Sequence, residues 1–172
     1  NIMNLKDKIR VIEDFPEKGI RFKDITTLLQ DKDAFKESIN RMKNLADKLD
    51  ADLIVGPEAR GFIFGTPLAY SMNLGFVPVR KPGKLPCDVV SQEYFLEYGK
   101  DSLEIHKDAI KPGQRVVIVD DLLATGGTLL STAKLIEKLG GEVVGILFLI
   151  ELSYLNGRGT LEGYNVKSLI TF

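Results

Sequence analysis

The sequence predicts an α/β fold with a mainly parallel central sheet flanked by helices. Short, continuously apolar runs end at glycine, proline or acidic residues, as expected of strands that are buried on both faces. Longer stretches between them carry apolar residues three or four positions apart, which is typical of amphipathic helices. The alternation of these two patterns along a chain indicates a parallel sheet covered by helices.

The N-terminal part of the chain predicts two helices. Leu5, Ile9 and Ile12 have near-helical spacing, so we expect a short helix that ends before the turn-rich residues 15–19. A second helix is predicted to follow Asp33. Its apolar positions are Phe35, Ile39, Met42, Leu45 and Leu49.

From residue 52 onward, strand and helix patterns alternate. We predict strands at 52–56, 75–79, 115–119 and 143–150, and helices at 61–72 and 128–139. Residues 88–106 differ, because aromatic and charged side chains alternate loosely there. This segment predicts an antiparallel hairpin that stands off the main sheet.

Composition limits the classes of function. With 172 residues and 44% hydrophobic content, we expect residues 1–172 to form one domain with one sizeable core. The 23 basic and 24 acidic residues nearly cancel and form no basic block, which argues against nucleic acid or an anionic membrane as a partner and favours a small ligand. A single cysteine, Cys87, together with no signal-peptide pattern and no apolar run of about 20 residues, predicts a cytoplasmic protein.

The most informative segment is VVIVDDLLATGGT, residues 116–128. An apolar strand delivers Asp120 and Asp121 to the carboxyl end of the predicted sheet, where open α/β folds bind ligands. Two adjacent carboxylates suit sugar hydroxyls or the coordination shell of Mg²⁺. The small residues that follow can close their amides around a phosphate at the start of a helix. They are Ala124, Thr125, Gly126, Gly127 and Thr128.

Taken singly, these features have ordinary explanations. The acidic pair could cap a helix, and the glycine pair could form a flexible turn. Their combination with the strand before them and the helix after them favours a sugar phosphate site. The two commonest phosphate-binding fingerprints, the Walker loop and GxGxxG, are absent from the sequence.

The segment 116–128 resembles the 5-phosphoribosyl-1-diphosphate signature of the type I phosphoribosyltransferases. Four more segments are similar, in the same order, to family members that use adenine as the acceptor. They are DFPEKGIRFKDIT, GPEARGFIFG, VRKPGKLP and EYFLEYGKDSLEIHKDAIKPGQ. The resemblance covers nearly the whole chain and implies a core sheet, a small hood formed by the chain ends and a mobile β flap over the site.

The resemblance also implies roles for individual residues. Asp120 and Asp121 would bind the ribose hydroxyls, and Ala124 to Thr128 the 5-phosphate. Mg²⁺ would be held mainly by the substrate and water, with these aspartates as the protein ligands. The diphosphate would contact Arg60, Arg80, Lys81 and Lys84. The family often has a non-proline cis peptide in the diphosphate loop, and the matching bond here is Glu58–Ala59.

The base site and the proton transfer are likewise implied by the resemblance. Ile20, Arg21, Phe22 and Lys23 would bind adenine, with Phe22 stacked on the purine and main-chain groups reading its edge. Glu97 would handle the purine proton, with Arg60 and Lys81 as the other catalytic groups. From the residues alone, Phe22 could equally be core packing, Glu97 a surface carboxylate, and residues 80–84 a solvated turn.

The resemblance therefore implies transfer of a phosphoribosyl group to adenine, giving AMP and diphosphate, by a homodimer. Two alternatives stay open. The acceptor could be xanthine, hypoxanthine or orotate, or the chain could be a regulator that binds the sugar diphosphate without turnover. His106 and Cys87 lack obvious partners in the sequence, and we assign no catalytic role to either.

Overall fold

The computed structural model describes residues 2–96 and 98–172. Within these ranges the strands are β1 (Arg10–Glu13), β2 (Arg21–Asp24), β3 (Leu53–Pro57), β4 (Gly75–Val79), β5 (Val89–Leu96), β6 (Gly99–His106), β7 (Arg115–Leu123), β8 (Glu142–Glu151) and β9 (Val166–Thr171). The helices are α1 (Thr26–Leu29), α2 (Lys32–Ala46), α3 (Arg60–Met72), α4 (Gly127–Lys138) and α5 (Gly157–Thr160). Short 3₁₀ turns occur at Leu5–Lys8, Asp47–Leu49 and Ser153–Leu155.

The central sheet has the strand order β4-β3-β7-β8-β9 in the described chain, and each neighbouring pair is parallel. Strand β7 lies in the middle of this order. Its residues Val116 to Val119 are fully buried, because helices or the hairpin cover both faces. The predicted mainly parallel sheet flanked by helices is therefore confirmed.

Two apolar layers flank the sheet, and alternate residues of each strand enter opposite layers. On one face, Ile54 and Val117 pack with α2 and α3, including Met42 and Phe64. On the other face, Val55 and Ile118 pack with α4 and with the inner side of β6. Packing against both layers holds the strands in position, and the candidate site lies at their carboxyl ends.

Helix α2 begins two residues earlier than predicted. Asp31 is its N-cap, since its carboxylate accepts hydrogen bonds from the backbone amides of Asp33 and Ala34, both at 3.1 Å. The helix ends at Ala46, and Leu49 belongs to the 3₁₀ turn that follows. The apolar spacing locates the helix correctly, and the cap decides its boundary.

The predicted N-terminal helix is wrong in its second half. Leu5 lies in a 3₁₀ turn and is buried in the core with Ile9, but Ile12 belongs to strand β1 and pairs with Phe22 of β2. Because the pairing partner is ten residues away, local spacing cannot reveal it. Strands β1 and β2 form a separate antiparallel pair, and β9 is a further strand that the apolar pattern did not predict.

Residues 88–106 form the predicted hairpin, with β5 and β6 paired antiparallel in a sheet of their own. Its base is attached to the core by Leu103 and Ile105, which are buried. Phe95 and Tyr98 near its tip are 82% and 90% exposed. In the part of the chain that the structure describes, no helix is long and apolar enough to cross a bilayer.

Candidate active site

Strand β7 carries the acidic pair to the carboxyl end of the sheet. Asp121 is buried, and its Oδ2 lies 2.7 Å from Nε of Arg60, the first residue of α3. The Asp121 amide donates to Oδ1 of Asp120 at 2.8 Å, which fixes the Asp120 carboxyl beside its neighbour. The prediction that β7 presents both aspartates at the sheet edge is confirmed, although the strand continues to Leu123.

The two carboxylates differ in their surroundings. Asp121 is buried and pairs with the Arg60 guanidinium, whereas Asp120 is half-buried. Burial, together with the negative charge of Asp121, raises the pKa of Asp120 well above its ordinary value. Hydrogen-bond donors or a cation bound at this edge would favour the ionised form of Asp120.

The loop after β7 leads directly into α4, as predicted. Gly126 precedes the helix with φ of +91°, and a Cβ there would lie 3.0 Å from the carbonyl oxygen of Gly157. Both facts require glycine at 126. A Cβ at Gly127 would meet no protein atom within 4 Å, so the amide end of α4 is open at this position.

The acidic pair and the loop line one cleft of about 390 Å³. Its lining is Glu58, Ala59, Arg60, Asp120, Asp121, Leu122, Ala124, Thr125, Gly126, Gly127, Thr128 and Leu129. We refer to this space as the cleft. Helix α4 directs its unpaired amides and positive dipole end toward it, which suits an anion.

The predicted diphosphate residues lie in two places. Arg60 lines the cleft, and the Glu58–Ala59 bond before it is cis, as the resemblance implied. The ammonium of Lys81 contacts the hairpin, where it binds the Asp101 carboxylate and the Tyr94 hydroxyl, the latter at 2.8 Å. Lys84 is exposed.

Glu58, which the sequence analysis named only for its bond to Ala59, links these two places through its side chain. Its Oε1 accepts from Nε of Arg80 at 3.2 Å and from the amide of Lys81 at 2.7 Å. The carboxylate thus holds the start of the 80–84 loop against the end of β3. A glutamate before a helix gives no local signal of this contact, because its partners lie 22 and 23 residues away.

A second, larger cavity of about 890 Å³ adjoins the cleft. The predicted adenine residues Ile20, Arg21, Phe22 and Lys23 all line it. It also shares Arg60, Asp121 and Leu122 with the cleft, so the two spaces meet at the carboxyl ends of β7 and β3. We refer to this space as the base cavity.

Within the base cavity, Phe22 packs edge-to-face on Phe15 with 5.3 Å between ring centroids. The buried Lys23 ammonium donates to the carbonyl oxygen of Arg21 at 2.8 Å. Burial, aided by the charge of Arg21, lowers the pKa of Lys23. The Arg21 side chain itself turns to Glu13, with 2.9 Å between Nε and Oε1.

The lining of the base cavity also includes five residues that the sequence analysis did not identify. They are Leu122, Leu152, Tyr154, Leu155 and Phe172. Leu152 to Leu155 directly follow the carboxyl end of β8, so the rule that placed the acidic pair could have found them. Phe172 could not be found this way, since it reaches the cavity after β9, which the sequence did not predict.

A hydrogen-bonded network centred on the buried Glu151 supports this edge of the sheet. Glu151, at the end of β8, accepts from Nε of Arg158 at 2.7 Å and from the hydroxyl of Ser168 at 2.8 Å. The Arg158 guanidinium lowers the pKa of Glu151. The network joins β8, α5 and β9, and α5 supplies the Gly157 carbonyl that lies against Gly126.

Glu97, predicted to handle the purine proton, lies outside the described residues. In the described chain, no group of three or more His, Cys, Asp or Glu side chains is arranged to hold a metal ion. Three carboxylates line the cleft: the acidic pair, of which Asp121 already binds Arg60, and Glu58, which binds Arg80 and the amide of Lys81. This set fits Mg²⁺ held by one or two carboxylates together with substrate phosphates and water.

Comparison with known proteins agrees with this architecture. The family model described as the phosphoribosyl transferase domain matches residues 24–169. Adenine phosphoribosyltransferase from Alkaliphilus metalliredigens is 66% identical over 170 residues, which cover 99% of this chain and 100% of that protein.

Solved structures agree as well. The crystal structure of adenine phosphoribosyltransferase from Thermoanaerobacter pseudethanolicus superposes with a TM-score of 0.94 at 61% identity, covering 98% of each chain. The Giardia lamblia enzyme, complexed with 9-deazaadenine, has a TM-score of 0.91 at 35% identity and covers 99% of each chain. The type I phosphoribosyltransferase fold is therefore confirmed, and the chain belongs to the adenine phosphoribosyltransferase family.

Proposed function

We propose that this chain transfers the 5-phosphoribosyl group from 5-phosphoribosyl-1-diphosphate to adenine, giving AMP and diphosphate in purine salvage. The main support for the proposal is that the cleft and the base cavity adjoin each other. An anion-binding cleft and a largely apolar cavity share Arg60, Asp121 and Leu122, so a sugar phosphate and a flat base bound there would meet at one edge of the sheet.

In this proposal, the cleft binds the sugar phosphate. Asp120 and Asp121 accept hydrogen bonds from the ribose hydroxyls, while the amides of Ala124 to Thr128 bind the 5-phosphate at the start of α4. The buried position of Asp121 and its contact with Arg60 hold the acidic pair in place. Such fixed donors and acceptors act chiefly by positioning the anomeric carbon.

The leaving diphosphate would be stabilised by fixed cations. Arg60 lies at the cleft, and Arg80, Lys81 and Lys84 lie on the loop that Glu58 anchors beside it. Bound Mg²⁺ would neutralise phosphate oxygens and thereby assist departure of the diphosphate. Positive charge next to the developing negative charge lowers the barrier without a covalent nucleophile.

Adenine would occupy the base cavity. Phe22 offers a ring face or edge to the purine, and main-chain groups of Ile20 to Lys23 can read its polar edge. Adenine presents an acceptor at N1 and a donor at its amino group, whereas hypoxanthine reverses this pattern. A mismatched base would leave buried polar groups unpaired, and this discriminates strongly. Glu97 is proposed to accept or hold the purine proton.

We further propose that residues 1–172 act as one domain in a cytoplasmic homodimer. The family match spans most of the chain, and the full-length similarity to adenine phosphoribosyltransferases supports the single domain. The dimer rests on the family resemblance, and equilibrium sedimentation tests it. The free, exposed Cys87 is compatible with a reducing compartment.

The deciding experiment measures AMP formation from labelled adenine with and without the sugar diphosphate and Mg²⁺. We expect turnover when all three are present, and loss of turnover when either the sugar diphosphate or the metal is withheld. Competition with hypoxanthine, xanthine and orotate tests the choice of base. Binding of the sugar diphosphate without turnover on any base would instead support a regulator.

A further inference from the structure

The 80–84 loop is attached to strand β6 of the hairpin through two carboxylates. The backbones of Arg80 and Glu104 exchange two hydrogen bonds of 3.0 and 2.8 Å, and Oε1 of Glu104 accepts from the amide of Gly83 at 2.9 Å. Farther along β6, Asp101 binds the ammonium of Lys81. The loop proposed to bind diphosphate is thus held by the hairpin at both its backbone and its lysine.

The contact at Lys81 is a three-membered cluster. Tyr94 and Asp101 face each other across β5 and β6, so their side chains lie on the same face of the hairpin. The Lys81 ammonium lies 2.8 Å from the Tyr94 hydroxyl, which itself lies 3.3 Å from Oδ2 of Asp101. These contacts raise the pKa of Lys81 and lower that of Asp101, so both groups are charged at neutral pH.

Lys81 is therefore anchored at two ends. Its amide donates to Glu58, a residue of the cleft, while its ammonium, on a flexible stem, binds an anion of the hairpin. The Lys81 side chain is 42% exposed and that of Asp101 33%. An ion pair this accessible to water is weak, so a more highly charged anion can displace it.

We propose that Asp101, oriented by Tyr94, is a positioning residue that competes with diphosphate for the Lys81 ammonium. The exchange couples binding at the diphosphate site to the hairpin, because Lys81 leaves the hairpin when it turns to diphosphate. It also keeps the affinity for diphosphate moderate, which favours release of that product. This inference rests on the proposed role of Lys81.

The test is a double-mutant cycle on the full-length protein, with inorganic diphosphate and Mg²⁺ as the probe in titration calorimetry. Asp101→Asn removes the competing charge and should tighten diphosphate binding by about 2- to 5-fold, the range expected of an accessible ion pair. Lys81→Met should weaken binding. In the Lys81→Met background, Asp101→Asn should have no further effect, because Asp101 acts through Lys81.

The hairpin offers a matched control. Glu93 and Lys100 form another ion pair on the same two strands, with Oε1 and Nζ 3.3 Å apart and both side chains more than half exposed. Glu93→Gln removes the same amount of charge as Asp101→Asn and should leave diphosphate affinity unchanged. Melting temperatures of all variants check that the fold is retained.

The outcomes separate the two proposals. If Lys81→Met does not weaken diphosphate binding, the proposed role of Lys81 fails and the competition fails with it. If Lys81→Met weakens binding but Asp101→Asn does not tighten it, the competition alone is overturned. The same holds if Asp101→Asn acts equally in both backgrounds, or if Glu93→Gln reproduces its effect, since either result would indicate a general charge effect.

In steady state, Asp101→Asn should lower the KM for the sugar diphosphate and strengthen product inhibition by diphosphate, with the KM for adenine unchanged. Tyr94→Phe keeps the ring, which packs against the core, but removes the hydroxyl, and should shift affinity in the same direction by a smaller factor. A role in folding alone would change neither the KM nor product inhibition selectively. An unchanged KM in Asp101→Asn, with Lys81→Met impaired, would also overturn the competition.

Discussion

The cleft and the segments that surround the candidate site contribute to it in different ways. The cleft is built largely from one continuous run, residues 120–128, and is rooted in the buried centre of the sheet, where Asp121 is 4% exposed. We call the other region the roof: strands β1 and β2, the β5–β6 hairpin and residues 152–155. The roof is assembled from separate segments and contains exposed aromatic side chains. Phe95 is 82% exposed to solvent and Tyr154 64%.

This difference separates two tasks. The backbone of residues 120–128 is held in place by strand β7 and helix α4, which suits binding of the sugar phosphate. Segments that stand off the sheet can cover a ligand and provide groups that act when it is bound. Substitutions in the cleft should therefore change use of the sugar diphosphate, and substitutions in the roof should change turnover or use of adenine.

The largest effect is expected at Glu97, the residue proposed to handle the purine proton. Glu97→Gln keeps the size of the side chain but removes the charge proposed to hold the purine proton, so turnover should fall by about 10²- to 10⁴-fold. Affinity for the sugar diphosphate should be retained, because the cleft provides it. Steady-state kinetics measure turnover, and ligand titration measures affinity for the sugar diphosphate. Wild-type turnover in the variant would show that Glu97 has no catalytic role.

In the cleft, Gly127→Val should raise the KM for the sugar diphosphate, by up to about 10²-fold if the phosphate is displaced by 1 Å. A Cβ there meets no atom from other parts of the protein within 4 Å, and the melting temperature checks that the fold also tolerates the valine methyl groups. Gly127→Ala should give a smaller effect in the same direction. An equal rise in the KM for adenine would show that the variant disturbs the whole site.

In the base cavity, Phe22→Leu should raise the KM for adenine by about 2- to 10-fold, the range expected for loss of an aromatic contact. The KM for the sugar diphosphate should stay constant. Phe15→Leu is the matched control, because Phe15 packs on Phe22 but does not line the cavity. If both variants act alike, the ring pair supports the roof and Phe22 does not stack on the base.

The smallest effect on turnover is expected at Glu151, the last residue of β8, whose hydrogen bonds hold α5 and β9 to that strand. Glu151→Gln should lower the free energy of unfolding at pH 7 by about 1.5–3 kcal/mol, as expected for hydrogen bonds to a charged group. Because the native pKa of Glu151 is lowered, its stabilisation is complete above its unfolded pKa of about 4.3 and is lost as pH falls through the native value.

Urea unfolding from pH 7 down to about pH 3.5 tests this, and the difference between wild type and variant should shrink with acidification. Glu142→Gln is the control, because the Glu142 side chain is 64% exposed and its contact with Arg115 is 3.5 Å. It should change stability by less than about 1 kcal/mol. A difference at Glu151 that does not depend on pH would mean that its charge is not involved.

The sequence by itself determined the class of the fold and the cleft. Strand and helix periods are local, and the acidic pair, glycine loop and helix start are consecutive, so the sequence pattern alone groups Asp120 to Thr128 into one site. The resemblance added Ile20 to Lys23 as predicted contacts of the base, and all four residues line the base cavity.

Tertiary structure decided the contacts between distant segments. The pairing of β1 with β2 turned an expected helix into a strand, and β9 brought Phe172 to the base cavity. The sequence also could not reveal that Glu58 anchors the 80–84 loop or that Asp101 binds Lys81. Side chains more than ten residues apart meet because buried strands fix their positions, and that packing depends on the whole chain at once.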